Sequence, residues 1–88
     1  MRPSDPDRVV RNVGRRFAEL RQAADLTQEE LAEKAKVSLK YLQRIERGEN
    51  LTVRSLVKFT NALGVSILEL FVPPRSSRRP PGRPPSRR

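Results

Sequence analysis

Eighty-eight residues with 35% hydrophobic and 5% aromatic content can bury one modest core of Leu, Val, Ile and Ala, which suits stacked helices better than a sheet. Cysteine and histidine are both absent, which removes disulfides, thiolate chemistry, the usual zinc ligands and the commonest neutral-pH base, so no metal, cofactor or triad enzyme is expected. The formal charge is +9, but residues 73–88 hold six Arg and no acid, leaving 13 basic against 10 acidic residues, or +3, in residues 1–72, so net charge decides little about the folded part.

Residues 1–7 contain no apolar leader-like run, and no stretch is long and apolar enough to span a bilayer, so a cytoplasmic chain with no membrane partner is expected. Asp5 followed by Pro6 predicts an N-cap with proline at the first helical position, where its missing N–H costs nothing. Val9, Val13, Phe17 and Leu20 then recur at helical spacing, with Arg8, Arg11, Arg15, Arg16, Glu19 and Arg21 on the other faces, until Ala24 and Asp25. Thr27 and Glu30 have the spacing of a capping box, and Leu31, Ala32 and Ala35 supply the inner side of a short second helix. After a turn at Lys36 and Val37, Ser38 caps a third helix from Leu39 to Arg47, with Leu42 and Ile45 inward and Gly48 as its left-handed stop. Lys40, Tyr41, Gln43, Arg44 and Arg47 are left facing outward.

Thr52 caps a predicted fourth helix whose stripe is Val53, Leu56, Val57, Thr60 and Leu63, ended by Gly64. Ser66 and Glu69 repeat the capping-box spacing ahead of a short fifth helix bearing Ile67, Leu68, Leu70 and Phe71, which Pro73 and Pro74 bring to an end. From Pro73 on, the composition is almost entirely Pro, Arg, Ser and one Gly, so a disordered basic tail is expected. The chain thus divides into an N-terminal arm (1–7), an all-α domain of five helices (8–72) and the tail (73–88).

Two short helices joined by a tight turn, the second with a polar face that no core uses, match a helix-turn-helix that lays its second helix in the major groove of double-stranded DNA. Within the unit 28–47, Gln28 directly follows the Thr27 cap, where an amide beside free backbone N–H groups at the positive end of a helix suits a phosphate. Ser38, Leu39, Lys40 and Tyr41 form the groove-entering end of the third helix, with Gln43 and Arg44 one turn on. Arg has the fork for guanine, Gln the donor and acceptor for adenine, and Leu39 an apolar surface for a thymine methyl.

The run Leu26-Thr27-Gln28-Glu29-Glu30-Leu31-Ala32, with Val37-Ser38, Ile45-Glu46-Arg47-Gly48 and Ala62-Leu63-Gly64-Val65, resembles the lambda-repressor and Cro-like (xenobiotic response element, XRE) regulators over roughly residues 8 to 72. The resemblance implies a compact five-helix DNA-binding domain acting as a homodimer on a palindromic operator. It implies that Gln28 touches the DNA backbone, that Leu39, Lys40 and Arg44 stand at base-reading positions, and that Arg54 approaches the backbone. It also implies an ion pair between Arg21 and Glu46 tying the first helix to the reading helix. Arg21 and Arg47 are counted among the backbone contacts as well. The family usually carries glycine where this chain has Lys36, and a left-handed lysine costs about 1 kcal/mol. Leu39 and Lys40 replace amides of some phage repressors, so no operator sequence carries over.

The fifth helix has more apolar positions than one narrow face needs, so Ile67, Leu68, Leu70 and Phe71 are expected to form a dimer seam that sets two recognition helices about 34 Å apart. In the tail, Gly82-Arg83-Pro84 is similar to the core of AT-hook minor-groove binders, and Pro81 with Pro84 fits a proline-rich ligand of an SH3-type groove; a nonspecific phosphate-binding arm needs neither. The expected function is a nucleoid-associated transcriptional regulator of repressor or controller type. The alternative is an antitoxin that autoregulates through the same helix and binds a toxin protein through its tail or fifth helix. An enzyme using Glu29 and Glu30 as acid and base is disfavoured, because adjacent helical residues point about 100° apart and do not flank one bond.

Overall fold

The computed structural model describes residues 3–49 and 51–75. Four α-helices, α1 (Pro6–Ala23), α2 (Gln28–Ala35), α3 (Leu39–Glu46) and α4 (Val53–Leu63), are followed by a 3-10 helix, Ile67–Phe71, and no strand occurs among the described residues. The Gly82-Arg83-Pro84 and Pro81/Pro84 patterns of the expected tail lie outside these residues.

Every α-helix starts on a side chain that accepts a free N–H of its first turn: Asp5 from Asp7, Thr27 from Glu30, Ser38 from Tyr41 and Thr52 from Ser55. Such caps contribute about 1 kcal/mol each. All four also stop in the same way. Asp25, Lys36, Gly48 and Gly64 adopt left-handed φ between 60° and 79°, and each returns its own N–H and that of the next residue to carbonyls of the last turn. Two of these four are not glycine, and Lys36 is among them.

Phe17 and Phe59, both without exposed surface and with ring centroids 4.8 Å apart, sit at the centre of the core. Leu31, Leu42, Ile45 and Leu70 surround them. Burial on α4 differs from the expected stripe: Leu56, Phe59 and Thr60 face inward, whereas Val53 and Val57 are exposed. The buried Thr60 hydroxyl is satisfied by donating to the Leu56 carbonyl at 3.0 Å.

α1 backs directly onto the end of α3. A Cβ at Gly14 would lie 2.7 Å from the Ile45 carbonyl oxygen and 2.8 Å from the Gly48 nitrogen, so only glycine permits this approach. The contact offsets the roughly 1 kcal/mol that a glycine costs in a helix interior.

The expected fifth helix is the 3-10 helix, and its shorter period changes which residues are buried. With three residues per turn, Ile67 and Leu70 fall on one side and Leu68 and Phe71 on the other. Leu70 is accordingly a core residue, 1% exposed, whereas Leu68 is 72% exposed and Phe71 is open to solvent. Leu70 therefore cannot join the dimer seam expected of it, because it has no surface left to bury. The Ser66 hydroxyl accepts from the Leu68 N–H at 3.2 Å, but Glu69 closes no capping box. Arg16 holds it instead, with Nη2 donating to Glu69 Oε1 at 2.9 Å and Nε to the Glu69 carbonyl at 2.7 Å. Arg16 is thus a strap between α1 and the closing segment rather than surface decoration.

Candidate nucleic-acid interface

The α2–α3 unit is fixed at its turn by local chemistry. Lys36 turns left-handed, the Val37 N–H bonds the Ala32 carbonyl at 3.0 Å, and Val37 leans on the core. Ser38 then caps α3, accepting from the Tyr41 N–H at 3.0 Å. The angle between the helices is set by these residues together with the apolar contacts beneath them.

A chain of polar side chains fixes α3 against the two helices before it. Glu46 accepts from Arg21 Nε at 2.6 Å and Nη2 at 3.3 Å, and Arg21 Nη1 donates to the Leu26 carbonyl at 2.8 Å. Both side chains are nearly buried, at 11% and 10% exposure. Gln28 Nε2 donates to the same carboxylate at 2.9 Å, and Gln43 Nε2 donates to Gln28 Oε1 at 3.2 Å. The polarity is forced: a carboxylate only accepts, so the Gln28 amino group must face it, which leaves the Gln28 oxygen for Gln43.

The expected site residues therefore separate into three groups. Lys40 and Arg44 on α3 and Arg47 at its C-cap are exposed, as are the Ser38 cap and Arg54 on the first turn of α4, while Leu39 is half-buried. Gln28 and Gln43 are half-buried and bonded to each other, and all three side-chain nitrogens of Arg21 donate within the protein. Of the two roles expected for Arg21, the ion pair with Glu46 is the one in which its nitrogens are engaged.

Tyr41 departs from the expected outward face. Its ring is half-buried against the core and stacked on Phe59, with centroids 6.4 Å apart. On α3 it lies one turn before Ile45 and beside Leu42, both buried, so its apolar ring follows them inward.

Four contributors were not evident from motif spacing. Gly14 and Phe59 allow α1, α3 and α4 to meet, and Arg16 anchors the closing segment. Glu49 brings its carboxylate to 3.8 Å from Arg44 Nε and 3.2 Å from Arg47 Nε. A glycine inside an otherwise helical run is a signal of close contact that the sequence does carry; the other three depend on partners distant along the chain or across a turn. Among the described residues no cluster of His, Cys, Asp or Glu is able to hold a metal, and no helix is long and apolar enough to cross a membrane.

The helix-turn-helix family matches residues 17–70. The uncharacterized HTH-type transcriptional regulator y4dJ of Sinorhizobium fredii is 47% identical over 62 residues, covering 69% of this chain and 80% of that protein. Among solved structures, the restriction-modification controller protein C.AhdI from Aeromonas hydrophila is 35% identical with a TM-score of 0.67, covering 70% of this chain and 96% of that one. The clp gene regulator ClgR from C. glutamicum is 30% identical with a TM-score of 0.68, covering 72% of this chain and 82% of the other.

Proposed function

The chain belongs to the helix-turn-helix family of XRE-type, Cro-like transcriptional regulators, which are DNA-binding proteins and not enzymes, and on that premise we propose that it is a repressor or controller that binds an operator as a homodimer through α3. The observation that carries this reading is the side-chain network Arg21, Glu46, Gln28 and Gln43, which holds α3 to α1 and α2 while Lys40, Arg44 and Arg47 stay in solvent. A short, rigidly mounted helix with a basic outer face suits a major groove.

In this reading Ser38, Leu39, Lys40, Gln43 and Arg44 meet base edges, with Arg44 forked onto guanine. Gln28, Arg47 and Arg54 take phosphates, and Arg21 supports the unit from behind. Tyr41 has no part in base reading, because its ring serves the core. The seam between protomers is built from Leu68 and Phe71, with Ile67 at its edge; the exposure of the first two supports this choice. Residues 8–72, together with the start of α1 at Pro6 and Asp7, act as the DNA-binding domain, and the six arginines of residues 73–88 add affinity for any phosphate backbone. The place of action is the cytoplasm, at the nucleoid.

Selection of bound sites from random duplexes tests this reading. The expected product is a two-fold symmetric sequence with half-sites about 10 base pairs apart, or a multiple of that. No enrichment, or a single unsymmetrical half-site bound by one copy, would refute the dimeric operator.

A further inference from the structure

Glu49 lies where the backbone at the end of α3 puts it. Gly48 turns left-handed at φ 79°, in a place where a Cβ would meet Arg11 Cα at 2.8 Å. The reversal brings the Gly48 N–H to the Ile45 carbonyl at 2.9 Å and the Glu49 N–H to the Arg44 carbonyl at 2.8 Å, the paired bonds of a glycine-stopped helix. Glu49 is thereby folded back over the last turn of α3.

Its two oxygens are shared between two arginines. Oε1 lies 3.8 Å from Arg44 Nε and Oε2 lies 3.2 Å from Arg47 Nε. Among the described residues, the side-chain hydrogen bond of this pair of arginines is the one from Arg47 Nε, and none is made by an Nη nitrogen of either. Arg44 in the last turn of α3 and Arg47 at its C-cap are three residues apart, a spacing at which like charges repel, and the carboxylate of Glu49 lies within 4 Å of both. The three side chains are 44–58% exposed, and ion pairs that open to water contribute little to stability. The fold has little use for this arrangement.

We propose that Glu49 is a positioning residue for DNA recognition: it accepts a hydrogen bond from Arg47 Nε, draws Arg44 toward it by charge across 3.8 Å, and leaves the Nη forks of both to engage DNA together. An end-on fork of two Nη nitrogens is what the O6 and N7 of guanine accept, and a phosphate accepts the same fork from Arg47. The carboxylate also repels the DNA backbone, so Glu49 weakens binding to DNA of any sequence while sharpening the choice of base. This inference rests on the base-reading role proposed for Arg44.

The test compares the full-length wild type with Glu49→Gln, Glu49→Asp and Arg44→Ala, each titrated with the selected operator and with a random duplex of equal length. Glu49→Gln is expected to bind the random duplex several-fold more tightly, with unchanged thermal melting, while its ratio of operator to random affinity falls about 10-fold, equivalent to about 1.4 kcal/mol. Glu49→Asp keeps the charge but shortens the reach, so it should retain weak random binding and still lose part of the ratio. If Glu49→Gln raises both affinities by one factor and leaves the ratio intact, Glu49 acts through charge alone and the proposal falls. If Arg44→Ala leaves the ratio unchanged, the base-reading role falls and the Glu49 proposal with it. A ratio lowered by Arg44→Ala but not by Glu49→Gln sinks the Glu49 proposal only.

Discussion

Thr27 with Glu30 and Ser66 with Glu69 present the same spacing of hydroxyl and carboxylate, yet only the first pair closes a capping box. At α2, Glu30 Oε1 accepts from the Thr27 N–H at 2.8 Å while Thr27 Oγ1 accepts from the Glu30 N–H at 3.0 Å. At the closing segment, Glu69 is drawn away by Arg16, 53 residues earlier in the chain, and the segment winds as a 3-10 helix. A local pattern therefore holds where no stronger tertiary partner competes for its side chain. The α2–α3 unit is built from patterns of that kind, and the closing segment is shaped by what it docks against.

The largest expected effect comes from the ion pairs that tie each region to α1. Arg21→Met leaves Glu46 nearly buried with no cation and with the Gln28 amide as its remaining donor, which should cost about 3–5 kcal/mol in urea denaturation. Arg16→Met takes the cation from Glu69, which is already half in solvent, and a 3.5 Å contact from Glu19, which keeps a further interaction, and about 1–2 kcal/mol is expected. Equal losses would erase the distinction between a carboxylate that is nearly buried and one that is half in solvent. Gly14→Ala comes next: helix propensity alone would add about 1 kcal/mol, but the clash with the Ile45 and Glu46 carbonyls should reverse the sign, with a net cost of about 1–3 kcal/mol. A stabilised Gly14→Ala protein would mean that α1 moves off α3 without penalty.

Smaller effects sharpen the comparison of the two caps. Thr27→Ala should cost about 1 kcal/mol and Ser66→Ala about half of that. In an Arg16→Met background Glu69 is released, so the cost of Ser66→Ala should rise toward that of Thr27→Ala, an interaction that a double-mutant cycle measures directly. Leu68→Ser should change unfolding by no more than about 0.5 kcal/mol, since the side chain is exposed, while sedimentation at micromolar concentration should show weaker self-association. Unaltered self-association would place the dimer seam elsewhere.

Helix boundaries are legible in the sequence because caps and left-handed stops act within four residues, and Thr27, Ser38, Thr52, Gly48 and Gly64 each do what their chemistry dictates. Facing is harder to read. Tyr41 has both a polar tip and an apolar ring, so its direction depends on Phe59, a partner on another helix. Phe71 moves from the side of Ile67 to that of Leu68 once the period is three rather than 3.6, and nothing in five apolar-rich residues announces which period applies. The pairing of Arg21 with Glu46 follows from family resemblance, but their link through Gln28 to Gln43 emerges only when three helices meet. Glu49 escapes notice because its neighbours in space lie across the turn at Gly48.

The central claim is that the rigidly held α3 reads DNA through its outward side chains, and the affinity of Arg44→Ala for operator and random duplexes tests it most directly. The expected result is a loss of about 1–3 kcal/mol on the operator, preference relaxed at a single base pair of each half-site, and unchanged thermal melting. Identical binding of wild type and Arg44→Ala to both DNAs would contradict it.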